Sequence, residues 1–213
     1  MCFFFFFFFF FFFFSFFFVL DCFTYKNDFD QKGVIYYLGK QVGITRWRNP
    51  SLESTSGVKV TYCDGHQGDG PLPELILQYY DPVRSYTRSG WCLDLGEKYS
   101  LRLTNYTLRQ IGSSDKTFLQ NFELYGSLCN DDDDWCLLSR QHRVDWKSQC
   151  FSHIRSKNKI MACKTKTWNV EGESKACRYF KIVQMKGTSL FGKQKMSLAG
   201  MELYGYLSVL ELA

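Results

Sequence analysis

Three histidines, nine cysteines and a run of four aspartates are the residues of this chain that could break bonds or hold a metal. His66, His142 and His153 stand in no hydrolase pattern: the chain has no Gly-x-Ser-x-Gly elbow, no paired-histidine helix motif and no Walker loop. Carboxylates are plentiful, but two carboxylates at an unknown separation predict no mechanism. No catalytic residue is assigned and the chain is read as a non-enzyme, because function has to be argued from a site. The competing hydrolase reading would require His142 or His153 to share a pocket with a carboxylate and a nucleophile.

Two metal readings compete with plainer ones. Asp131 to Asp134 offers carboxylate oxygens to a hard cation, yet a calcium loop spaces its ligands at alternate positions around a glycine. Four contiguous aspartates between two expected strands fit a turn better. Cys150 and His153, with Cys129, Cys136 and Cys163 in the same half of the chain, could supply thiolate and imidazole to zinc. A structural zinc site needs a second close pair, which the sequence does not provide. No metal and no cofactor is assigned. An odd, irregular cysteine set is not a secreted disulfide framework. Cys92 and Cys177 fall inside expected strands, where a thiol serves as a small hydrophobe. The pattern indicates a reducing compartment, hence a cytoplasmic protein.

The 213 residues carry a net charge of +5 and a pI near 8.7. That is too mild for phosphate-backbone recognition, which excludes nucleic acid as a partner. Basic residues concentrate between Arg140 and Lys195, a stretch that is either a solvated surface or a field steering an acidic partner. Residues 1–24 form a separate low-complexity segment, almost all Phe from Cys2 to Leu20. Its length would permit a membrane span, but it lacks the mixed apolar composition of a span and the basic leader and cleavage site of a signal. The reading taken is sequence translated ahead of the true start, with an anchor or signal as the alternative. A membrane partner follows only if that segment is real.

From residue 28 to 208 the chain reads as one domain of short aromatic and branched blocks fenced by Gly, Ser, Asn and Asp. Strands are expected at Gly33–Lys40, Val58–Tyr62, Trp91–Leu95, Ser100–Arg109, Leu119–Ser127, Asp134–Gln141, Thr165–Val170, Arg178–Met185 and Ser197–Leu207, with Leu75–Tyr80 as strand or a short helical turn. An expanded basic loop is expected from Trp146 to Lys164. Many strands without alternating long helices specify an all-β sandwich or barrel. Trp91, Tyr106, Trp135, Trp168, Tyr179 and Tyr204 lie in these strands and are assigned to core packing. The triplet Asn105-Tyr106-Thr107 fits a glycan acceptor but falls in mid-strand.

Laid out in order, the blocks resemble the discoidin or F5/8 type C family, a galactose-binding-like jelly-roll β-sandwich. The nearest branch is the intracellular one of HECT-type ubiquitin ligases and BTB-domain proteins. The resemblance rests on Gly33–Gly39, the turn Trp47–Pro50, Trp91–Gly96, Tyr106–Gln110, Phe122–Ser127 with Trp135, Arg178–Ile182 and Leu198–Gly205. Departures are Gln110 where the family favours His, Phe122 for Trp, and the aspartate run for a tighter Asp-Gly turn. The resemblance implies a non-catalytic binding module using loops at one end of the jelly roll. Arg46, Trp47, Arg48, Tyr79, Tyr80, Arg84 and Arg88, with Tyr86, form an aromatic and arginine-rich loop set, the composition of binding hot spots. A protein partner is expected, as in substrate recruitment by a ubiquitin-ligase adaptor. The alternative is a secreted or membrane-anchored lectin for carbohydrate or anionic lipid.

Overall fold

The longest strands set the architecture. In the computed structural model, which describes residues 17–43, 46–63, 83–85, 90–112, 119–146, 152–156, 159–172, 174–185 and 196–210, β1 is Phe17–Phe23, followed by helix α1 at Val34–Val42. Strands β2 (Lys59–Tyr62), β3 (Val83–Ser85), β4 (Gly90–Asp94), β5 (Tyr99–Gly112), β6 (Phe122–Ser127) and β7 (Cys136–Gln141) come next. The chain closes with β8 (Ser152–Ser156), β9 (Lys159–Asn169), β10 (Ala176–Cys177), β11 (Tyr179–Gln184) and β12 (Met196–Leu210). One sheet runs β1-β12-β5-β9-β8, with β10 on β5 and β3 on β12; the other runs β2-β4-β11-β6-β7. Every pairing between them is antiparallel.

Alternation along the strands explains the packing. On β11, Phe180 and Ile182 are buried while Tyr179 and Lys181 are not, and on β6 Phe122 and Leu124 are buried while Glu123 and Tyr125 are not. On β5 the buried set changes parity, from Leu101 and Leu103 to Tyr106 and Leu108. The change falls where the β5–β12 register shifts, between Tyr204 and Gly205. A bulge inserts one residue and so returns the apolar side chains to the core. Gly205 sits there at φ +150°, and a Cβ on it would lie 2.1 Å from the Arg102 carbonyl oxygen. Between the sheets, Tyr106 stacks on Trp168 at 5.2 Å, and Phe122 and Trp146 meet Trp168 edge-on.

Two expectations are corrected. Gly33–Lys40, read as a first strand for its branched and aromatic content, is mostly helix: α1 buries Val34, Ile35, Leu38 and Gly39, a helical face. Its N-terminal donors are satisfied from a distance. The Glu202 carboxylate on β12 accepts from Ile35 N at 2.7 Å and Tyr36 N at 3.1 Å. Tertiary capping outweighs local strand preference. The second correction concerns Trp146–Lys164, read as a loop. The structure builds β8 within it and starts β9 at Lys159, because β5 runs to Gly112 and its backbone groups there need a partner, found at Ala162.

The segment from Tyr25 to α1 lies over the outer face of the larger sheet. Asp28 accepts hydroxyl hydrogen bonds from Thr165 and Thr167 of β9 at 2.7 and 2.5 Å. Arg109 lies 3.9 Å over the Phe29 ring, and Tyr25 meets Tyr204 edge-on at 5.3 Å. β1 takes its residues from the end of the phenylalanine-rich segment and pairs with β12 from Phe17 to Phe23.

Candidate ligand cleft

With the larger sheet covered, the smaller sheet presents its outer side chains. Register places Thr61, Cys92, Lys181 and Tyr125 in one row across β2, β4, β11 and β6, and Lys59, Asp94 and Tyr179 in the next. A cleft of about 420 Å³ opens over these rows, with Trp135, Asn130 and Asp132 on its rim. That volume is within the usual range of ligand pockets, about 300–1,000 Å³.

Each wall has a local cause. Arg178, just before β11, donates to Asp94 through Nε at 2.7 Å and Nη2 at 2.9 Å, a bidentate pair joining β4 to β11. Asp94 also accepts from Gly96 N at 2.8 Å, and the Arg178 guanidinium lies 4.7 Å from the Tyr179 ring. The Asp94 carboxylate, its largest influence, raises the Arg178 pKa. The rim is a 3-10 turn at Asp132–Asp134. Asp134 accepts from Ser127 Oγ, Leu128 N and Cys129 N, which hold its carboxyl below the ordinary range. Trp135 then hangs over the cleft, its ring 4.0 Å from the Lys181 ammonium. Burial pushes the Cys92 thiol in the floor up to about 11, against the opposing charge of Lys181.

The aspartate run therefore builds a turn, and among the described residues no group of three or more His, Cys, Asp or Glu is placed to hold a metal. Cys150 and His66 lie outside the described residues, as does Leu75–Tyr80. Among the described residues, Cys22, Cys92, Cys129, Cys136 and buried Cys177 are free thiols.

The loop set is placed in part. Arg46 is exposed. Trp47 folds against α1, where a Cβ on Gly39 would lie 2.1 Å from its indole nitrogen. Arg48 donates its backbone N–H to Gly39 O at 3.1 Å and its guanidinium to Glu53 at 3.2 Å, an exposed pair. Arg84 lies on β3 opposite Ser197. Tyr79, Tyr80, Tyr86 and Arg88 lie outside the described residues. Of the residues assigned to packing, Trp91, Tyr106 and Tyr204 are buried and Trp168 sits in the aromatic stack. Trp135 and Tyr179 are instead half-exposed and line the cleft. The sequence carried the signal for Tyr179: it shares strand parity with Lys181, opposite to Phe180 and Ile182.

No family model matches this chain. It is 28% identical over 185 residues to the E3 ubiquitin-protein ligase hecd-1 of Caenorhabditis elegans, covering 84% of this chain and 6% of that protein. It is 27% identical over 192 residues to the E3 ubiquitin-protein ligase Ufd4 of Drosophila melanogaster, covering 86% of this chain and again 6% of the relative. Among solved structures it is similar to the family 32 carbohydrate-binding module of Clostridium perfringens NanJ, determined with galactose. That likeness has 12% identity and TM-score 0.45, covering 70% of this chain and 94% of the module. A histidine mutant of the lectin binding domain of Lectinolysin, complexed with Lewis b, aligns at 15% identity and TM-score 0.47, over 75% of this chain and 97% of that one. The fold is an all-β sandwich of two antiparallel sheets. The chain thus spans about 6% of the length of each of the two ligases it matches. Among its described residues no helix is long and apolar enough to cross a membrane.

Proposed function

We propose that the discoidin-like domain is a non-catalytic docking module that receives a protein segment in the cleft over β4 and β11, recruiting a substrate or partner to a cytoplasmic ubiquitin-ligase-type protein. The observation that carries the reading is the cleft: half-exposed Trp135 and Tyr179 face a concave sheet surface together with Lys59, Lys181 and Asn130. Half-exposed tryptophan and tyrosine are among the residues that binding hot spots favour. The similarity to ligase segments over most of the chain supports the setting. A carbohydrate reading is favoured by one feature of the same cleft, aromatic faces interleaved with Asn130 and Asp132 as hydrogen-bonding groups.

The test screens the full chain against a peptide display library and a glycan array, with Trp135→Ala, Tyr179→Ala and Arg46→Ala in parallel. The docking reading expects selected peptides whose binding falls in the first two variants and persists in Arg46→Ala. Loss confined to Arg46→Ala moves the site to the loop end. Retention of glycans alone replaces the protein with a sugar.

A further inference from the structure

The charged groups of the cleft differ in how far they are already paired. Asp94 is committed twice, to the Arg178 guanidinium and to Gly96 N. Lys181 is different. Its cross-strand neighbours are Cys92 on β4 and Tyr125 on β6, neither of them a carboxylate. Its ammonium is held 4.0 Å from the Trp135 ring and 5.8 Å from the Tyr125 ring, and it has no ion pair among the described residues. Lys59, in the neighbouring row, stands opposite Asp94 but makes no ion pair among the described residues. An ammonium held against rings in a partly desolvated floor interacts more strongly with an arriving carboxylate than a freely hydrated one does. The cleft's carboxylate without such commitments, Asp132, stands exposed on the rim turn.

Resting on the docking reading above, we infer that the cleft takes an acidic peptide segment, seating a glutamate or aspartate carboxylate on Lys181 with an apolar or aromatic neighbour against Trp135 and Tyr179. Lys59 supplies a second, weaker positive centre two strands away, beyond Asp94. Asp132 at the rim then disfavours segments acidic throughout and favours one acidic residue flanked by uncharged ones.

The experiment pans a library of short random peptides on the full chain as wild type, Lys181→Gln, Lys181→Arg and Trp135→Ala, and measures the best peptide by fluorescence anisotropy at rising salt. Acidic enrichment at one fixed position is expected on wild type and Lys181→Arg. The chosen peptide should weaken about tenfold or more on Lys181→Gln, the scale of a charged hydrogen bond, and its binding should fall with salt. Equal thermal midpoints of wild type and Lys181→Gln would verify an intact fold. Neutral or basic selected peptides, or equal binding by Lys181→Gln, overturn the acidic assignment. If Trp135→Ala still abolishes that binding, docking in the cleft survives alone. If Trp135→Ala changes nothing either, both readings fall.

Discussion

Replacing Glu202 by Gln should stabilise this domain at alkaline pH. The Glu202 side chain is buried at 3% exposure, and its carboxylate accepts from Ile35 N, Tyr36 N and Leu203 N at 2.7, 3.1 and 3.0 Å. Burial away from water is the dominant influence and pushes its pKa up to about 8 from 4.5, against the lowering effect of the three N–H donors. The sign follows from linkage. Below about 4.5 both folded and unfolded chains hold the proton and the group's contribution is fully present. Between about 4.5 and 8 the unfolded chain releases the proton while the folded one retains it, so stability drains away as pH rises through that window. A shift of this size corresponds to a few kcal/mol, roughly 5 at most. Gln keeps a carbonyl acceptor for the helix and cannot ionise. Thermal denaturation followed by circular dichroism at pH 5, 7 and 9 should show wild type losing stability across the series and Glu202→Gln losing less. The variant should match wild type at the acid end and exceed it at the alkaline end. Parallel pH profiles, with Gln below wild type throughout, would refute the assignment of Glu202 as a proton-linked cap.

Other positions give sharp outcomes. Gly205→Ala should destabilise by about 2–4 kcal/mol in urea denaturation, because its Cβ would meet the Arg102 carbonyl at 2.1 Å with φ at +150°; an unchanged midpoint would show that the bulge can relax. Gln110→Ala should cost about 1–3 kcal/mol, since Leu119 N, buried, donates to Gln110 Oε1 at 2.7 Å. Iodoacetamide at neutral pH should label exposed Cys22 and Cys129 well before Cys92 and Cys177, whose thiols burial pushes up to about 11 and about 12; mass spectrometry of a time course reads the order directly.

How far the sequence revealed this structure depends on what each feature needs. The block Arg178–Met185 was legible because period-2 alternation is local, and Ser197–Leu207 because its apolar and aromatic run is fenced by turn residues; β11 and β12 fall within a few residues of them. Val34–Val42 was not: Val, Ile and Tyr favour a pleated surface, and the group that turns the segment into a helix, Glu202, lies 167 residues away from Ile35. The second half of β9 was legible as Thr165–Val170, but its first half and β8 were hidden, because the one pairs with the far end of β5 and the other only with β9. Trp135 and Tyr179 carried the right residue types, but which sheet face is open depends on what covers the other one. The loop arginines and tyrosines were chosen by composition, and composition does not show that Trp47 lies on Gly39.

That covering layer is what makes a single sheet face available. Residues around Asp28 saturate the threonine hydroxyls of β9, Phe29 shields Arg109, and Glu202 ties α1 to β12, so the polar outer row of the larger sheet is consumed internally. The smaller sheet has no such layer over β4 and β11 among the described residues, and its outer row ends in rings and cations rather than in satisfied hydroxyls. A sandwich that covers one face with its own chain keeps the other open to solvent and free to receive a ligand. On the docking reading, the Arg178–Asp94 pair serves recognition as well as stability. By fixing β11 against β4 it sets where Tyr179 and Lys181 stand, so Asp94→Asn should weaken peptide binding even though Asp94 makes no call on the ligand itself. Because Asn retains one acceptor for Arg178 and for Gly96 N, the fold should persist, and a calorimetric titration showing undiminished affinity would mean that Tyr179 and Lys181 are positioned without the latch.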